Sequence, residues 1–192
     1  MMTRATLILR LSAPIQSWGT GQAFKRRPAG DAPNAGAVAG LIANAMGRTR
    51  ADPIDDLKAL EFRLRAVRPP AMGRDYHTVD RGRLGTVETV DGLLMDAVWL
   101  VALTGDPALL KTIRAAFENP ARPVYLGRRS QPPDAPIVDQ DREVVDGDPD
   151  GLLARAAEDE KRMLAGRFAP RTRMADRARA RIDAWRARRA AC

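Results

Sequence analysis

The side chains of Ala5, Leu7, Leu9 and Leu11 fall on one face of an extended chain, and Thr6, Ile8 and Arg10 fall on the other. A period of two does not fit a helix, so the chain opens with a strand, ended by Pro14. The same alternation returns in "LEFRLRAVR", where Leu60, Phe62, Leu64 and Ala66 oppose Glu61, Arg63 and Arg65 before Pro69 and Pro70 stop it. Between these two strands, "AGAVAGLIANAMG" sets Val38, Leu41, Ile42, Ala45 and Met46 on one helical stripe. Asn34 is placed to cap that helix and Gly47 to end it, while Gly36, Ala39 and Gly40 would let it lie close on a sheet.

After residue 93 the run "LMDAVWLVAL" reads as a strongly apolar third strand, followed beyond "TGDP" by an amphipathic helix, "ALLKTIRAAFEN", and a short β-prone "PVYLG". Trp99 belongs to the core on this reading. The order is that of an α+β, ferredoxin-like βαββαβ domain, with a hairpin inserted at about residues 69–93 between its second and third strands. It would occupy residues 1–133. Residues 134–192 read as a Pro- and Asp-rich loop and a basic helical tail, with two helical segments split near Gly166 to Pro170.

The chain carries 32 Lys and Arg against 24 Asp and Glu, a net charge of +8. Only Lys25, Lys58, Lys111 and Lys161 are lysines. The planar arginine fork matches phosphate oxygens and stacks on bases, so the bias favours a nucleic-acid partner. One cysteine, Cys192, excludes an internal disulfide and fits a reducing compartment. The apolar amino-terminal run is interrupted by Arg10 and too short for a secretion signal or a membrane span, which places the protein in the cytoplasm with no membrane partner. With one histidine and no HxxxH or CxxC pair, no metal site or cofactor is expected. "DGDPDG" imitates the start of a calcium loop, but Ala157 stands where the twelfth-position glutamate should be, and "GTG" at 19–21 lacks the third glycine of a dinucleotide fingerprint.

Two stretches concentrate chemistry. "RDYHTVDRGRLGTVET" holds Arg74, Tyr76, the sole histidine His77, Arg81 and Arg83; "RPVYLGRRSQPP" presents Tyr125, Arg128 and Arg129 at a strand end stiffened by two prolines. In the Gly- and Arg-rich loop, Arg26 and Arg27 are further phosphate candidates. Trp18 suits base stacking as well as packing under its loop. In the tail, eight arginines between Arg171 and Arg189 face only Asp176 and Asp183, which favours contact with RNA or target-DNA phosphates, or with an acidic protein face, over a merely solvated helix.

"LILRLSAPIQSWG", "AVAGLIANAMGR", "RDYHTV", "DAVWLVAL" and "YLGRRSQPP", in this order, resemble the CasD-type subunits of type I-E CRISPR Cascade, within the RAMP-type Cas superfamily. The resemblance runs from about residue 5 to residue 133. It implies an RRM-like domain with a protruding thumb that caps the surveillance complex, grips the 5′ handle of CRISPR RNA, and contacts the multi-copy backbone subunit and the large subunit. Three features depart from the family pattern: "PNAGA" replaces the usual "PTKSA", so Ala35 stands where a lysine is common; the thumb is shorter; and the motif match stops at Pro133.

A metal-free ribonuclease needs a base, an acid and a cation, which His77, Tyr76 and Arg74 or Arg81 could supply. The resemblance instead implies a non-catalytic binder, in which Tyr76 and His77 stack on and hydrogen-bond the handle. The expectation is therefore no catalytic residue, with an endoribonuclease using Tyr76 and His77 as the alternative.

Overall fold

The computed structural model describes residues 4–19, 26–27, 30–139 and 143–168. Its elements run β1 (Ala5–Ser12), β2 (Ile15–Gln16), β3 (Arg26–Arg27), α1 (Ala35–Ala45), α2 (Asp55–Lys58), β4 (Glu61–Arg68), β5 (Ala71–Asp80), β6 (Thr86–Met95), β7 (Val98–Gly105), α3 (Pro107–Glu118) and α4 (Pro149–Phe168). The protein is α+β. The described residues up to Ala157 form one compact unit, and those from Glu158 to Phe168 belong to a second.

The first unit is built on an antiparallel sheet of order β1-β7-β4. β1 and β7 pair over their full length, from Ala5 opposite Gly105 to Ser12 opposite Val98. The alternation in β1 separates two cores. Leu7, Leu9 and Leu11 join Val101, Leu103 and the α1 and α3 residues Leu41, Ile42, Leu110 and Ile113. Ile8, with Leu100 and Ala102, packs instead against Leu153, Ala156 and Ala157 of α4. Both faces of the sheet are therefore covered, which explains why β7 is buried from Val98 to Thr104.

Helix α1 begins and ends as its sequence requires. Asn34 Oδ1 accepts from Ala37 N at 2.9 Å. Gly47, at φ 79°, terminates the helix, with Gly47 N bonded to Asn44 O and Arg48 N to Ala43 O, the paired carbonyl caps of a Schellman motif. Gly36 and Gly40 do not lie on the sheet. They point outward, and a methyl group at Gly40 would meet nothing within 4 Å; of the three small residues only Ala39 faces the core.

Three further expectations change. The alternation in β4 breaks at a bulge between Ala66 and Arg68, leaving Ala66 exposed and turning Val67 toward the α4 side of the sheet. The apolar run at 94–103 is two strands, not one: Asp96, at φ 56°, turns the chain between β6 and β7, with its N–H bonded to Pro14 O. Finally, residues 123–127 form no strand. The open edge of β1 is taken by the later segment 134–145, through Asp134 N to Ser12 O, Arg10 N to Ile137 O, and a reciprocal pair between Thr6 and Val145.

The second sheet contains the hairpin. β5 and β6 pair from Ala71 opposite Met95 to Asp80 opposite Thr86, closed by a 3-10 turn at Gly82–Leu84. β2 joins its base antiparallel at Met95 and Leu94, and β3 joins parallel at Val90 and Asp91. The insertion expected at 69–93 is thus the 71–95 hairpin. In the second unit the described residues are the end of α4, where Lys161 pairs with Glu158 and Arg162 with Asp159, each at 2.7 Å. The arginine-rich segment 171–192 lies outside the described residues, as does the loop at 20–25.

Candidate nucleic-acid interface

Three stretches far apart in sequence meet at the base of the hairpin. Pairing of β2 with β6 brings "QSW" there, and Gln16, fully buried, locks it in place: its Nε2 donates to Ala97 O at 2.8 Å and its Oε1 accepts from Trp18 Nε1 at 2.9 Å. Ser17 N donates to Leu126 O at 3.0 Å. Gln131, also buried, donates from Nε2 to Ser17 Oγ at 2.9 Å and accepts the N–H of Arg128 at 3.1 Å. Backbone bonds from Leu126 N to Gln131 O and from Gln131 N to Arg128 O close the loop. Gly127 is obligatory within it. Its φ is 109°, and a Cβ would lie 1.9 Å from Ser17 O.

Asp91 of β6 is the electrostatic centre of this junction. It is only 5% exposed. Its register partners are Asp75 on β5 and Arg27 on β3. Arg128 Nη1 donates to Asp91 Oδ2 across from the loop. His77 Nε2 lies 3.0 Å from Asp75 Oδ2 and 3.5 Å from Asp91 Oδ2. A buried carboxylate needs such partners, since an unpaired one would cost several kcal/mol of desolvation.

The residues singled out from the sequence fall in different settings. Tyr76, 66% exposed, stands on the hairpin beside the exposed Arg74, and Arg83 is exposed at the tip. Arg129 is exposed next to Arg128, and neither it nor Arg74 or Arg83 has an ion pair among the described residues. Arg81 is exposed too, and its backbone N–H closes the turn onto Gly85 O. Arg26 and Arg27 belong to β3 rather than to a loop and so are brought to the hairpin by backbone pairing. Tyr125 is half-buried and lines an open cavity of about 300 Å³ with Leu41, Asn44 and Gly127.

Two residues differ from expectation. Trp18 is not a surface stacker: it is 2% exposed within the main core, with its indole N–H consumed by Gln16. Arg128 is not free surface charge, because the buried Asp91 holds it. Sequence reading missed Asp91, Gln16, Ser17 and Gln131. A signal existed for Asp91, a lone carboxylate just before the apolar "GLLM" at the end of an alternating strand, but its partner sits 37 residues away. No group of three or more described His, Cys, Asp or Glu residues is arranged to hold a metal ion.

A family model described as "CRISPR-associated protein (Cas_Cas5)" matches residues 6–191. The chain belongs to this family of CRISPR-associated proteins. The match continues well beyond Pro133, where the recognisable motifs stop. The chain is 33% identical over 157 residues to the CRISPR system Cascade subunit CasD of Escherichia coli (strain K12), covering 70% of each protein. Among solved structures it is similar to a chain of a CRISPR RNA-guided surveillance complex, with 33% identity and a TM-score of 0.63. That alignment covers 69% of this chain and 61% of the other, so this chain spans less than two thirds of that subunit's length. A second structure, described as a Cas protein, aligns at 36% identity and a TM-score of 0.63 over 77% of this chain and 69% of its own.

Proposed function

We propose that this protein is a non-catalytic RNA-binding subunit of a type I-E Cascade surveillance complex, in the cytoplasm, where it caps the assembly and grips the 5′ handle of the CRISPR RNA. Its protein partners are the multi-copy backbone subunit and the large subunit. The observation that carries this reading is the junction itself: Tyr76, His77, Arg128 and Arg129, drawn from a hairpin and a separate loop, are held on one rigid base by Gln131, Ser17 and Gly127. Paired strands and a braced loop fix the backbone that carries those side chains, which supports a role in positioning phosphates along a strand.

We read the body as a ferredoxin-like, RRM-like arrangement over residues 1–133 with a thumb at the hairpin, a reading supported by the strand order β1-β7-β4, although residues beyond 133 stand at the edge of β1 where its fourth strand would pair. It would not read RNA as an RRM does. The sheet face away from α1 and α3 presents Ile8, Leu100 and Ala102 rather than aromatic side chains, and α4 covers it. RNA is left the hairpin side.

Binding without cleavage is the reading that the likeness to a Cascade subunit CasD supports. The Nε2 of His77 is turned onto Asp75 and Asp91, so any proton taken from a ribose 2′-hydroxyl would have to go to Nδ1. Incubation with labelled precursor CRISPR RNA in EDTA tests the reading: the RNA is retained uncut. Discrete cleavage that disappears in His77→Ala establishes the endoribonuclease alternative.

A further inference from the structure

A carboxylate repels phosphate, yet the buried Asp91 and the half-exposed Asp75 both stand among the arginines of this surface. Nothing in the packing demands Asp91. An apolar side chain of similar size would fill the position, and replacing a buried ion pair by apolar residues is often neutral or stabilising. What the carboxylate does that an apolar residue cannot is hold Arg128 while standing 3.5 Å from His77 Nε2, whose nearer carboxylate is Asp75 at 3.0 Å. Arg128 comes from the loop after Gly127 and His77 from β5, and both converge on Oδ2 of the same side chain.

Each group is held on one side and open on the other. Arg128 gives one Nη1 donor to Asp91, has five N–H donors in a planar fork, and keeps 26% of its side chain exposed. His77 turns Nε2 inward between Asp75 and Asp91, yet 47% of its side chain is exposed. A guanidinium anchored along one edge presents its remaining donors in a fixed plane, the geometry that bidentate phosphate recognition needs. Arg129, with no such anchor, contributes charge without direction.

We propose that Asp91 is a positioning residue for RNA: its carboxylate sets Arg128 and His77 relative to each other, so that one backbone phosphate meets the guanidinium while the adjoining nucleotide lies against the imidazole. This rests on the RNA-binding reading above and adds to it a source of discrimination. Removing the carboxylate makes the surface more positive and so favours indiscriminate binding, while the fixed pair that prefers one RNA conformation is lost.

The test uses the full-length protein and two single-stranded RNAs of equal length, one copying the repeat-derived 5′ end of the neighbouring CRISPR array's transcript and one with the same bases scrambled. Affinities are measured over a salt series beside the melting temperature. Wild type prefers the repeat-derived RNA. In Asp91→Asn, affinity for it falls roughly tenfold, the equivalent of one charge-assisted hydrogen bond, while the scrambled RNA binds as well or better. Arg128→Lys keeps the charge and the pairing but not the fork, and it loses the same preference; it also serves if Asp91→Asn does not fold. Asp91→Glu, which keeps the charge, restores part of the preference. If wild type discriminates and both Asp91→Asn and Arg128→Lys retain the full ratio, or if both RNAs weaken in parallel, Asp91 is a structural anchor and the proposal fails alone. If wild type binds neither RNA, the RNA-binding reading fails and takes this proposal with it.

Discussion

β6 and β7 are neighbours in the chain and both run in antiparallel ladders, but they are stabilised in opposite ways. β7 is central, paired on both edges and buried on both faces by α1, α3 and α4. β6 has the same full pairing with β5, yet only its last residues are buried: Asp91, Leu93 and Leu94 lie against the body, while Thr86 to Val90 are exposed or half-buried. A two-stranded hairpin has little stability of its own in water. The outer part of this one is therefore held by its base, where a polar lattice sits beside Leu94, fully buried in the main core. Packing stabilises the body, whereas the hairpin depends on geometry.

Gly127→Ala attacks the link between the two and carries the largest expected effect. The new methyl group would occupy the position of Ser17 O in a backbone conformation that alanine avoids. Strain there costs about 1–3 kcal/mol. Displacing the loop also loses the Leu126 and Gln131 bonds to Ser17, each worth about 1 kcal/mol. A loss near 4 kcal/mol in urea unfolding is expected, together with loss of RNA binding. Gly40→Ala is the contrasting change, because it meets no atom and improves helix propensity by up to about 1 kcal/mol.

The second comparison sets Leu100→Ala in β7 against Tyr76→Ala in β5. Leu100 is fully buried between β1 and α4, and its truncation should cost about 3 kcal/mol through lost transfer energy and an unfilled cavity. Tyr76, largely exposed, should change stability by less than about 0.5 kcal/mol while weakening RNA binding. If Tyr76→Ala destabilises as much as Leu100→Ala, the hairpin has a core of its own and the contrast is wrong.

The same division decides what could be read in the sequence. The core against α4 was not legible, because nothing local marks Leu153, Ala156 and Ala157 as facing the sheet; the core under α1 and α3 was, because β1 alternates without interruption and α1 carries its own start and stop signals at Asn34 and Gly47. Local chemistry suffices there. The junction was only half legible. "RDYHTV" and "YLGRRSQPP" announce themselves by composition, but that Arg128 answers Asp91, or that Trp18 spends its indole N–H on Gln16, depends on contacts made through the fold. The expected strand at 123–127 failed for a related reason. Its β-prone residues suit a ladder, but Leu126 and Gln131 commit their backbone groups to Ser17 and to each other, and segment 134–145 occupies the edge of β1. Apolar composition misled at 94–103 because nothing local reveals that Asp96 adopts a left-handed turn.

Adjacent arginines in the loop offer a finer test. Arg128→Ala leaves Asp91 buried without its principal partner; discounted for the partial exposure of the guanidinium, the loss should be about 2 kcal/mol. Arg129→Ala should leave the melting temperature nearly unchanged and flatten the slope of log affinity against log salt by about 0.7, as one phosphate contact to single-stranded RNA would. Equal stabilities for the two variants would remove the distinction between an anchored and a free arginine.

The smallest effect lies on the body, at the loop after α1, and serves as a control on the whole contrast. Arg48 makes a two-pronged pair with Asp56, both bonds at 2.6 Å, and this hydrogen bonding holds the Asp56 carboxyl below the usual carboxylate range. Asp52 is lowered as well, chiefly by the backbone N–H and the hydroxyl of Thr49. A carboxylate whose acidity is increased by folding contributes stability above its unfolded pKa and loses it as the pH falls through the folded value. The Arg48–Asp56 contribution should therefore be complete at neutral pH and disappear below about pH 4. Both partners are surface groups, so its size is under about 1 kcal/mol. Arg48→Gln should lower the melting temperature slightly at pH 7, converge with wild type as the pH is taken below 4, and leave RNA affinity unchanged at every pH where both fold. If RNA affinity falls with it, the body contributes to the interface and is more than a scaffold for the hairpin base.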